Sequence, residues 1–233
     1  MATRNGEKHI RRQLESILNQ LDRNDELIIS DDSSIDRTVD IIKSFHDRRV
    51  ILFEQNTFFS PIYNFENTLK KASCGIIALS DQDDIWLENK IDIVRSRLSD
   101  KIGRIYTIMM DGFVIDENDE IQEETLFQRV KARSGILTNI YDNCYTGCSM
   151  AFTKDLLKVA VPFPPNIPMH DSWFGILSEM LGQVEFVFEK TILYRRHPAN
   201  ASFRRRDVVQ QVRWRYFLAY HLLRRYLAFK GVK

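Results

Sequence analysis

Short apolar runs alternate with amphipathic stretches along the first hundred residues, and this alternation constrains the fold more than any other feature. Apolar residues recur at helical spacing over residues 7–21, and an apolar run at residues 27–29 follows them. Short runs that are apolar throughout are typical of strands buried on both faces of a parallel sheet. The sequence therefore predicts an α/β fold, with a mostly parallel central sheet and helices on both of its faces. Further strands are predicted at residues 50–53, 75–79, 105–109, 149–152, 184–188 and 192–195, helices near residues 39–45, 60–72, 91–98, 170–181 and 207–229, and a solvated acidic connection at residues 116–124.

The length, charge and cysteine content narrow the class of protein. The 233 residues suffice for one sizeable domain, and 33 Lys and Arg nearly balance 32 Asp and Glu. This balance lacks the basic excess that nucleic-acid-binding domains carry, so no nucleic-acid partner is expected. Cys74, Cys144 and Cys148 fit neither a disulfide framework nor zinc-site spacing, so we expect reduced thiols. No apolar run approaches the roughly 20 residues of a membrane helix, and no signal-peptide core is present, so a cytoplasmic location is expected.

Two groups of carboxylates follow predicted strands. Asp31 and Asp32 come after one strand, and Asp81, Asp83 and Asp84 come after another. Ligands of parallel α/β proteins bind beyond the carboxyl ends of the strands. Side chains two residues apart on an extended segment share a face, so Asp81 and Asp83 can converge on one hard divalent cation such as Mg²⁺. The alternative is a solvated acidic turn that favours the N-terminus of the next helix.

Six short motifs occur in order over roughly residues 1–200. Residues 30–38 read S-D-D-S-S-I-D-R-T and resemble a DDxSxDxT signature, and residues 81–84 read D-Q-D-D and resemble a DxD metal motif. The other four are A-T-R-N-G-E at residues 2–7, Y-T-G-C-S-M at 145–150, H-D-S-W at 170–173 and Y-R-R-H at 194–197. Together they resemble the motifs of family 2 glycosyltransferases with the GT-A fold, especially bacterial rhamnosyltransferase-like members.

The resemblance implies an inverting glycosyltransferase that moves a sugar from a UDP- or dTDP-sugar, rhamnose among the candidates, to a hydroxyl of a glycan or lipid-linked saccharide. It implies that Asp171 is the general base and that Asp83, with His197, ligates Mg²⁺ or Mn²⁺. It places Gly147 and Trp173 on the acceptor side. The residues that it assigns to the nucleotide sugar are Thr3, Glu7, Asp31, Asp32, Asp81, Arg195 and Arg196.

The N-terminus departs from the pattern of this family. Family members enter the A-T-R-N-G-E position through an apolar strand of the type V-S-I-V-M, whereas Met1 stands at the last residues of that strand here. We therefore expect a GT-A domain over residues 1–203 that lacks its first strand and leaves the edges of the neighbouring strands unpaired. Arg4 stands where the family usually has an aromatic residue, and it can stack on a base or contact phosphate.

Residues 204–233 are predicted to form a basic amphipathic helix, and two binding partners are possible for its apolar face. Its apolar face either packs on the domain or contacts an anionic membrane, which would place the protein at the inner face of the cell membrane.

Several of these residues also have a purely structural interpretation. Asp171 could cap a helix, Trp173 could be a core residue, and Arg195 with Arg196 could end a solvated strand. For the whole chain, one alternative is a truncated domain that binds nucleotide sugars weakly or serves as a scaffold. Another is a haloacid-dehalogenase-type, Mg²⁺-dependent phosphatase, which also places DxD after an apolar strand but expects Thr or Val where Ile85 stands.

Overall fold

The structure is a computed structural model that describes residues 1–196 and 207–231. His197 and the arginines at 204–206 therefore lie outside the described residues, and their assignments stay predictions. The strands are β1 (Ala2–Thr3), β2 (Leu27–Asp31), β3 (Val50–Phe53), β4 (Ile76–Ala78), β5 (Ile85–Trp86), β6 (Tyr106–Ile115), β7 (Ile121–Thr125), β8 (Met150–Thr153) and β9 (Gln183–Arg195). The helices are α1 (Ile10–Leu18), α2 (Thr38–Lys43), α3 (Pro61–Lys71), α4 (Lys90–Leu98), α5 (Leu126–Val130), α6 (Ile136–Tyr141), α7 (Leu157–Ala160), α8 (His170–Leu181) and α9 (Val208–Gly231).

The first three strands form a parallel sheet, as their alternation with helices predicts. β2 lies in the middle, with β1 on one side and β3 on the other. The register places Thr3 beside Asp31, so the loops that follow β1 and β2 leave the sheet side by side. All five residues of β2 are buried, which explains why its sequence does not alternate between apolar and polar side chains.

The remaining strands form a second sheet in the order β4-β8-β6-β9-β5, with β7 paired to β6. The prediction of a mostly parallel sheet is too simple here. β6 and β9 are parallel, but β8 runs antiparallel to both β4 and β6, and β5 runs antiparallel to β9. The predicted acidic connection also contains β7, which forms a hairpin with β6. Its side chains are almost all exposed, so no apolar pattern signalled it.

Helices cover both faces of the second sheet, as predicted. Met109 of β6 packs in a core with Phe174 and Leu177 of α8. Its neighbours in β6, Ile108 and Met110, point to the opposite face and pack in a separate core that contains Val94 and Leu98 of α4. This alternation follows from the two-residue period of a strand, and it requires apolar side chains at successive positions.

A gap separates the two sheets. β2 and β4 are not hydrogen-bonded to each other, and an apolar cavity of about 290 Å³ lies between strands β2 and β4 and helices α3 and α4. The buried amino group of Met1 lines this gap and donates a hydrogen bond of 2.7 Å to the Ile28 carbonyl. Burial lowers the pKa of this amino group to about 5. β1, at Ala2–Thr3, pairs with β2 on the side away from β3.

The long helix α9 packs against the domain through one face. Leu218 and Leu222 are buried in the same core as α8. Arg215 and Arg225 strengthen this attachment, since their guanidinium groups donate to the carbonyl oxygens of Tyr141 and Pro162. Within the residues that the structure describes, no helix has the length and apolar character needed to cross a membrane.

Candidate active site

Hydrogen bonds join the loop after β1 to the loop after β2. The Thr3 hydroxyl donates to the Asp31 carboxylate at 2.9 Å, and the backbone N–H and hydroxyl of Ser34 donate to the same carboxylate at 2.9 and 2.5 Å. Further along the same two loops, the Glu7 carboxylate accepts a hydrogen bond of 3.0 Å from the Arg37 backbone N–H. Residues 2–7 and 30–38, which the motifs single out separately, therefore form one unit. Their contact with a nucleoside stays a prediction.

Asp32 anchors a second loop to this unit. Its two carboxylate oxygens accept hydrogen bonds from the backbone N–H groups of Phe58, at 2.6 Å, and Ser60, at 3.1 Å. The side chain is buried, and these bonds position the start of α3 beside the end of β2. A carboxylate oxygen has two lone pairs, so Asp32 retains capacity for a further donor such as a nucleobase N–H.

Gln82 connects these loops to the acidic loop after β4, although the sequence predicted no role for it. Its side-chain oxygen accepts from the Arg4 N–H at 2.8 Å, and its side-chain nitrogen donates to the Arg4 carbonyl at 3.0 Å. A Cβ atom on Gly6 would lie 2.5 Å from the Gln82 oxygen, so a larger residue there would displace the Gln82 amide from its bonds to Arg4. The Arg4 guanidinium lies 4.8 Å from the centre of the Phe59 ring, where it makes a cation–π contact.

Carboxylates from two distant segments converge beside the acidic loop. Burial, together with the negative charges of Asp83 and Asp171, raises the pKa of Asp81 to about 7. Burial and the charges of Asp83 and Asp81 likewise raise the pKa of Asp84 well above its usual range. Asp171 reaches this region from the first turn of α8. The structure thus brings together three side chains that the motifs assigned to metal, sugar and base.

The carboxylates fit a divalent cation. Potential ligand atoms of Asp81, Asp84 and Cys148 lie within 4.8 Å of one another, and one buried oxygen of Asp84 has no hydrogen-bond partner among the described residues. Carboxylate oxygens suit Mg²⁺ and Mn²⁺. Burial raises the pKa of the Cys148 thiol well above its usual range, so the thiol stays protonated and is the poorer ligand. Asp83, the ligand implied by the resemblance, is half-buried in the same loop and stays a predicted ligand.

Arg195 holds the acidic loop from inside the protein, which corrects its assignment to the pyrophosphate. The side chain is buried, and its guanidinium donates to the carbonyl oxygens of Asp83 at 2.9 Å and Asp116 at 3.0 Å. It also forms an ion pair of 2.5 Å with Asp119, which pairs with Arg12 as well. The Arg195 backbone N–H donates to Asp84. These contacts make Arg195 a positioning residue for the acidic loop, because its donors face the protein.

Arg196 has a different environment from its neighbour. It is half-buried, and its backbone N–H donates to the Ile115 carbonyl at 2.9 Å, which extends the pairing of β9 with β6. A contact between its guanidinium and the donor phosphates stays a prediction.

Lys90 is a second residue without a predicted role. Its side chain is fully buried, its amino group donates to the Cys148 carbonyl at 2.7 Å, and it lies 4.5 Å from the centre of the Trp86 ring. Burial lowers the pKa of Lys90 to about 8, against the opposing influence of the nearby Asp84 and Asp81. The lysine therefore provides positive charge beneath the carboxylates. The sequence did contain a signal that Lys90 is buried, because it lies four residues before Val94 and so shares the inward face of α4.

The acceptor-side motifs meet at the start of α8. A Cβ atom on Gly147 would lie 2.8 Å from a ring nitrogen of His170, so glycine permits the close contact between these segments. α8 begins at His170 with Met169 as its N-cap, and the Asp171 carboxylate in the first turn accepts a hydrogen bond of 2.5 Å from the Ser172 backbone N–H. The helix-terminus role of Asp171 and its proposed role as the base therefore both stay predictions. Trp173 is fully buried, and its ring N–H donates to the Ala160 carbonyl at 3.0 Å. Trp173 is therefore a core residue, and its assignment as an acceptor platform is corrected.

Comparisons with known proteins agree with this geometry. The family described as Glycosyl transferase family 2 matches residues 1–158, which include both acidic loops. The match leaves no support for the phosphatase interpretation.

Two relatives with assigned activities resemble most of the chain. The UDP-Glc:alpha-D-GlcNAc-diphosphoundecaprenol beta-1,3-glucosyltransferase WfgD of Escherichia coli is 30% identical over 184 residues, which cover 77% of this chain and 68% of WfgD. The dTDP-rhamnosyl transferase RfbG of Shigella flexneri is 28% identical over 228 residues, which cover 88% of this chain and 75% of RfbG.

Solved structures support the fold. Staphylococcus aureus TarS in complex with UDP-GlcNAc superposes with a TM-score of 0.70 at 15% identity, over 98% of this chain and 71% of the TarS chain. Glucosyl-3-phosphoglycerate synthase from Mycobacterium tuberculosis, in complex with Mn²⁺, UDP-glucose and phosphoglyceric acid, gives a TM-score of 0.55 at 19% identity over 97% of this chain and 77% of that chain. The chain therefore belongs to glycosyl transferase family 2 and is a glycosyltransferase with the GT-A fold.

Proposed function

We propose that this glycosyltransferase moves a sugar from a UDP- or dTDP-linked donor to a hydroxyl of a glycan or lipid-linked saccharide, with inversion at the anomeric carbon. The observation that carries the proposal is the convergence of Asp81, Asp83 and Asp171. The loops joined by Asp31 and Gln82 bring the proposed nucleoside end of the site against the acidic loop. The two ends of a nucleotide sugar would thus meet adjoining parts of one surface.

Each end of the site has a distinct role in the proposed reaction. The linked loops bind the nucleoside, with the remaining lone pairs of Asp31 and Asp32 available to donors on the base or ribose. Asp81 and Asp83 hold the cation, Arg195 keeps their loop in place, and Lys90 provides positive charge near their carboxylates. When bound, Mg²⁺ or Mn²⁺ would neutralise the negative charge that develops on the departing nucleoside diphosphate.

Asp171 acts as the general base in this proposal. Its carboxylate takes the proton of the acceptor hydroxyl as the oxygen attacks the anomeric carbon, and the bond to the diphosphate oxygen breaks. A single displacement of this kind inverts the configuration and needs no covalent enzyme intermediate.

The relatives support two classes of donor and one class of acceptor. WfgD is named for UDP-glucose and an undecaprenol-linked acceptor, and RfbG for dTDP-rhamnose. We therefore propose a lipid-linked saccharide as the acceptor, with UDP-glucose and dTDP-rhamnose as the first donors to test.

A binding experiment tests the donor and metal parts of the proposal. UDP and dTDP would be titrated into the protein with and without Mn²⁺, using the wild type, Asp83→Asn and the exposed control Asp92→Asn. We expect one nucleotide to bind more tightly with Mn²⁺, the control to match the wild type, and Asp83→Asn to lose the metal effect. The absence of metal-dependent binding of either nucleotide to the wild type would contradict the proposal.

A second candidate function is weak nucleotide-sugar binding without efficient turnover, as in a scaffold domain. The gap between β2 and β4 favours it, because the gap adjoins β2, which ends at Asp31 and leads directly into Asp32. Metal-dependent binding together with no product from either donor, in the presence of a lipid-linked acceptor, would support this candidate over the first.

A further inference from the structure

Helix α9 presents a second apolar face that the domain leaves uncovered. Opposite the buried Leu218 and Leu222, six apolar or aromatic side chains are between 44% and 72% exposed. They recur every three or four residues and so form one continuous row, which we call the outer stripe. The outer stripe consists of Val209, Val212, Tyr216, Tyr220, Leu223 and Leu227.

The outer stripe is too long to be an incidental feature of the surface. At 1.5 Å per residue, the helix from Val209 to Leu227 spans about 27 Å. Its edge adjoins helix α6, because the Arg215 guanidinium stacks 4.3 Å from the centre of the Tyr141 ring, and this tyrosine is itself 70% exposed. Exposed apolar surface that continues over such a length is typical of a binding face.

The charge of α9 indicates what kind of partner covers the stripe. The helix contains five Arg and Lys residues and neither Asp nor Glu, although the whole chain has a net charge of only +1. Arg215 and Arg225 are directed to the domain, as described above. Arg213 and Arg224 are exposed and lie over the rings of Phe217 and Tyr220, at 5.6 and 5.7 Å. Positive charge therefore borders the apolar row.

A second copy of this face would place like charges opposite one another, which disfavours a symmetric dimer through α9. An anionic bilayer satisfies both features, because its acyl region accepts the apolar row and its headgroups pair with arginine. Tyrosine is also a side chain that favours the membrane–water boundary, since it has an apolar ring and a polar tip. We propose that the outer stripe lies in the surface of an anionic phospholipid bilayer, with Arg213 and Arg224 against the headgroups.

This docking has a consequence for the reaction, which rests on the proposed function. α9 packs on α8, and α8 carries Asp171 in its first turn. A bilayer-bound α9 would therefore hold the proposed base close to lipid-linked acceptors.

Vesicle co-sedimentation of the full chain tests the inference. The vesicles contain either phosphatidylcholine alone or equal parts of phosphatidylcholine and phosphatidylglycerol. The stripe variant combines Val212→Ser, Leu223→Ser and Leu227→Ser. A matched control replaces three exposed isoleucines outside the outer stripe, Ile51, Ile102 and Ile121, by serine. A charge variant combines Arg213→Gln with Arg224→Gln.

We expect the wild type and the control to bind the mixed vesicles and to bind neutral vesicles at least tenfold more weakly, as an order of magnitude for an anion-dependent contact. The stripe variant should lose about tenfold or more in affinity, and each removed arginine should cost about fivefold. Circular dichroism should show an unchanged fold, because all substituted side chains are exposed.

Three results would overturn the inference: equal binding of the stripe variant and the wild type, equal binding to neutral and mixed vesicles, or a dimer abolished by the stripe variant without any binding to vesicles. Nucleotide titration of the same samples separates this inference from the proposed function. If the stripe variant no longer binds vesicles but still binds nucleotide in the presence of Mn²⁺, both proposals are supported. If the wild type binds vesicles but does not bind nucleotide, only the proposed function is refuted.

Discussion

His170 should make the protein sensitive to mild acid, because its imidazole is buried without compensation. Only 4% of the side chain is exposed, and its ring lies 4.1 Å from that of Phe65, centre to centre. Neither ring nitrogen has a hydrogen-bond partner among the residues that the structure describes. Burial lowers the pKa of His170 from 6.5 to about 3. The folded protein therefore keeps this ring neutral at pH values where the unfolded chain already binds a proton.

The size of the effect follows from the difference in bound protons. Between the unfolded pKa of 6.5 and the folded pKa of about 3, the unfolded state binds one more proton at His170. The free energy of unfolding must then fall as the pH falls, by about 1.4 kcal/mol for each pH unit. Lowering the pH to about 5 should thus remove about 2 kcal/mol, which is a large share of the roughly 5–15 kcal/mol that stabilises a typical domain.

Urea unfolding at pH 7 and at pH 5 measures this contribution. The wild type should lose about 2 kcal/mol more between the two pH values than His170→Phe or His170→Asn, since neither variant can be protonated there. His46→Asn is the control, because His46 is exposed and its φ of 48° suits asparagine. If both His170 variants lose as much stability as the wild type, the imidazole is not held neutral in the folded state, and the argument from burial is wrong.

Further substitutions separate structural from functional roles. Trp173→Phe should lower the free energy of unfolding by about 2–4 kcal/mol, through a lost hydrogen bond and a cavity, and leave the KM for the acceptor unchanged; a raised KM at unchanged stability would restore the acceptor-platform assignment. Arg195→Lys should weaken Mn²⁺-dependent nucleotide binding about tenfold, because lysine cannot reproduce the planar set of donors, whereas the surface control Arg97→Lys should have no effect. Gly6→Ala and Gln82→Ala should each cost about 1 kcal/mol, and the double variant should cost less than their sum because both remove the same contact. Strict additivity would show that the two residues act separately.

The main elements could be predicted because burial leaves a pattern in the sequence. β2 is buried along its length and appears as an apolar run at residues 27–29. The strand predicted at residues 105–109 covers only the first part of β6, because Asp111 and Gly112 interrupt the apolar run although the strand continues to Ile115. β7 could not be predicted in this way, because its residues are exposed and its pairing with β6 is mostly a matter of backbone hydrogen bonds. The mixed direction of the second sheet depends on pairings between distant segments, such as β4 with β8, which local periodicity does not encode.

The site was predictable to the level of its loops but not of every side chain. Carboxylates at strand ends mark the edge of a sheet where ligands bind, and Asp81 follows β4 at such an edge. The charge of Asp171, which lies on helix α8 rather than at a strand end, influences Asp81 there. Neighbouring residues of a strand point to opposite faces, so a pair such as Arg195 and Arg196 cannot both face the site. The sequence does not show which of the two faces inward. Gln82 was not identified because its role comes from a contact with Arg4, which is distant in the chain.

The rate of sugar transfer by Asp171→Asn tests the central claim most directly. The variant keeps the size of the side chain but cannot take up the acceptor proton. With Mn²⁺, the accepted donor and a lipid-linked acceptor, we expect transfer to slow by about 10²-fold or more while the affinity for the nucleotide stays at the wild-type value. Transfer at the wild-type rate would contradict the assignment of Asp171 as the base and, with it, the proposed arrangement of the site.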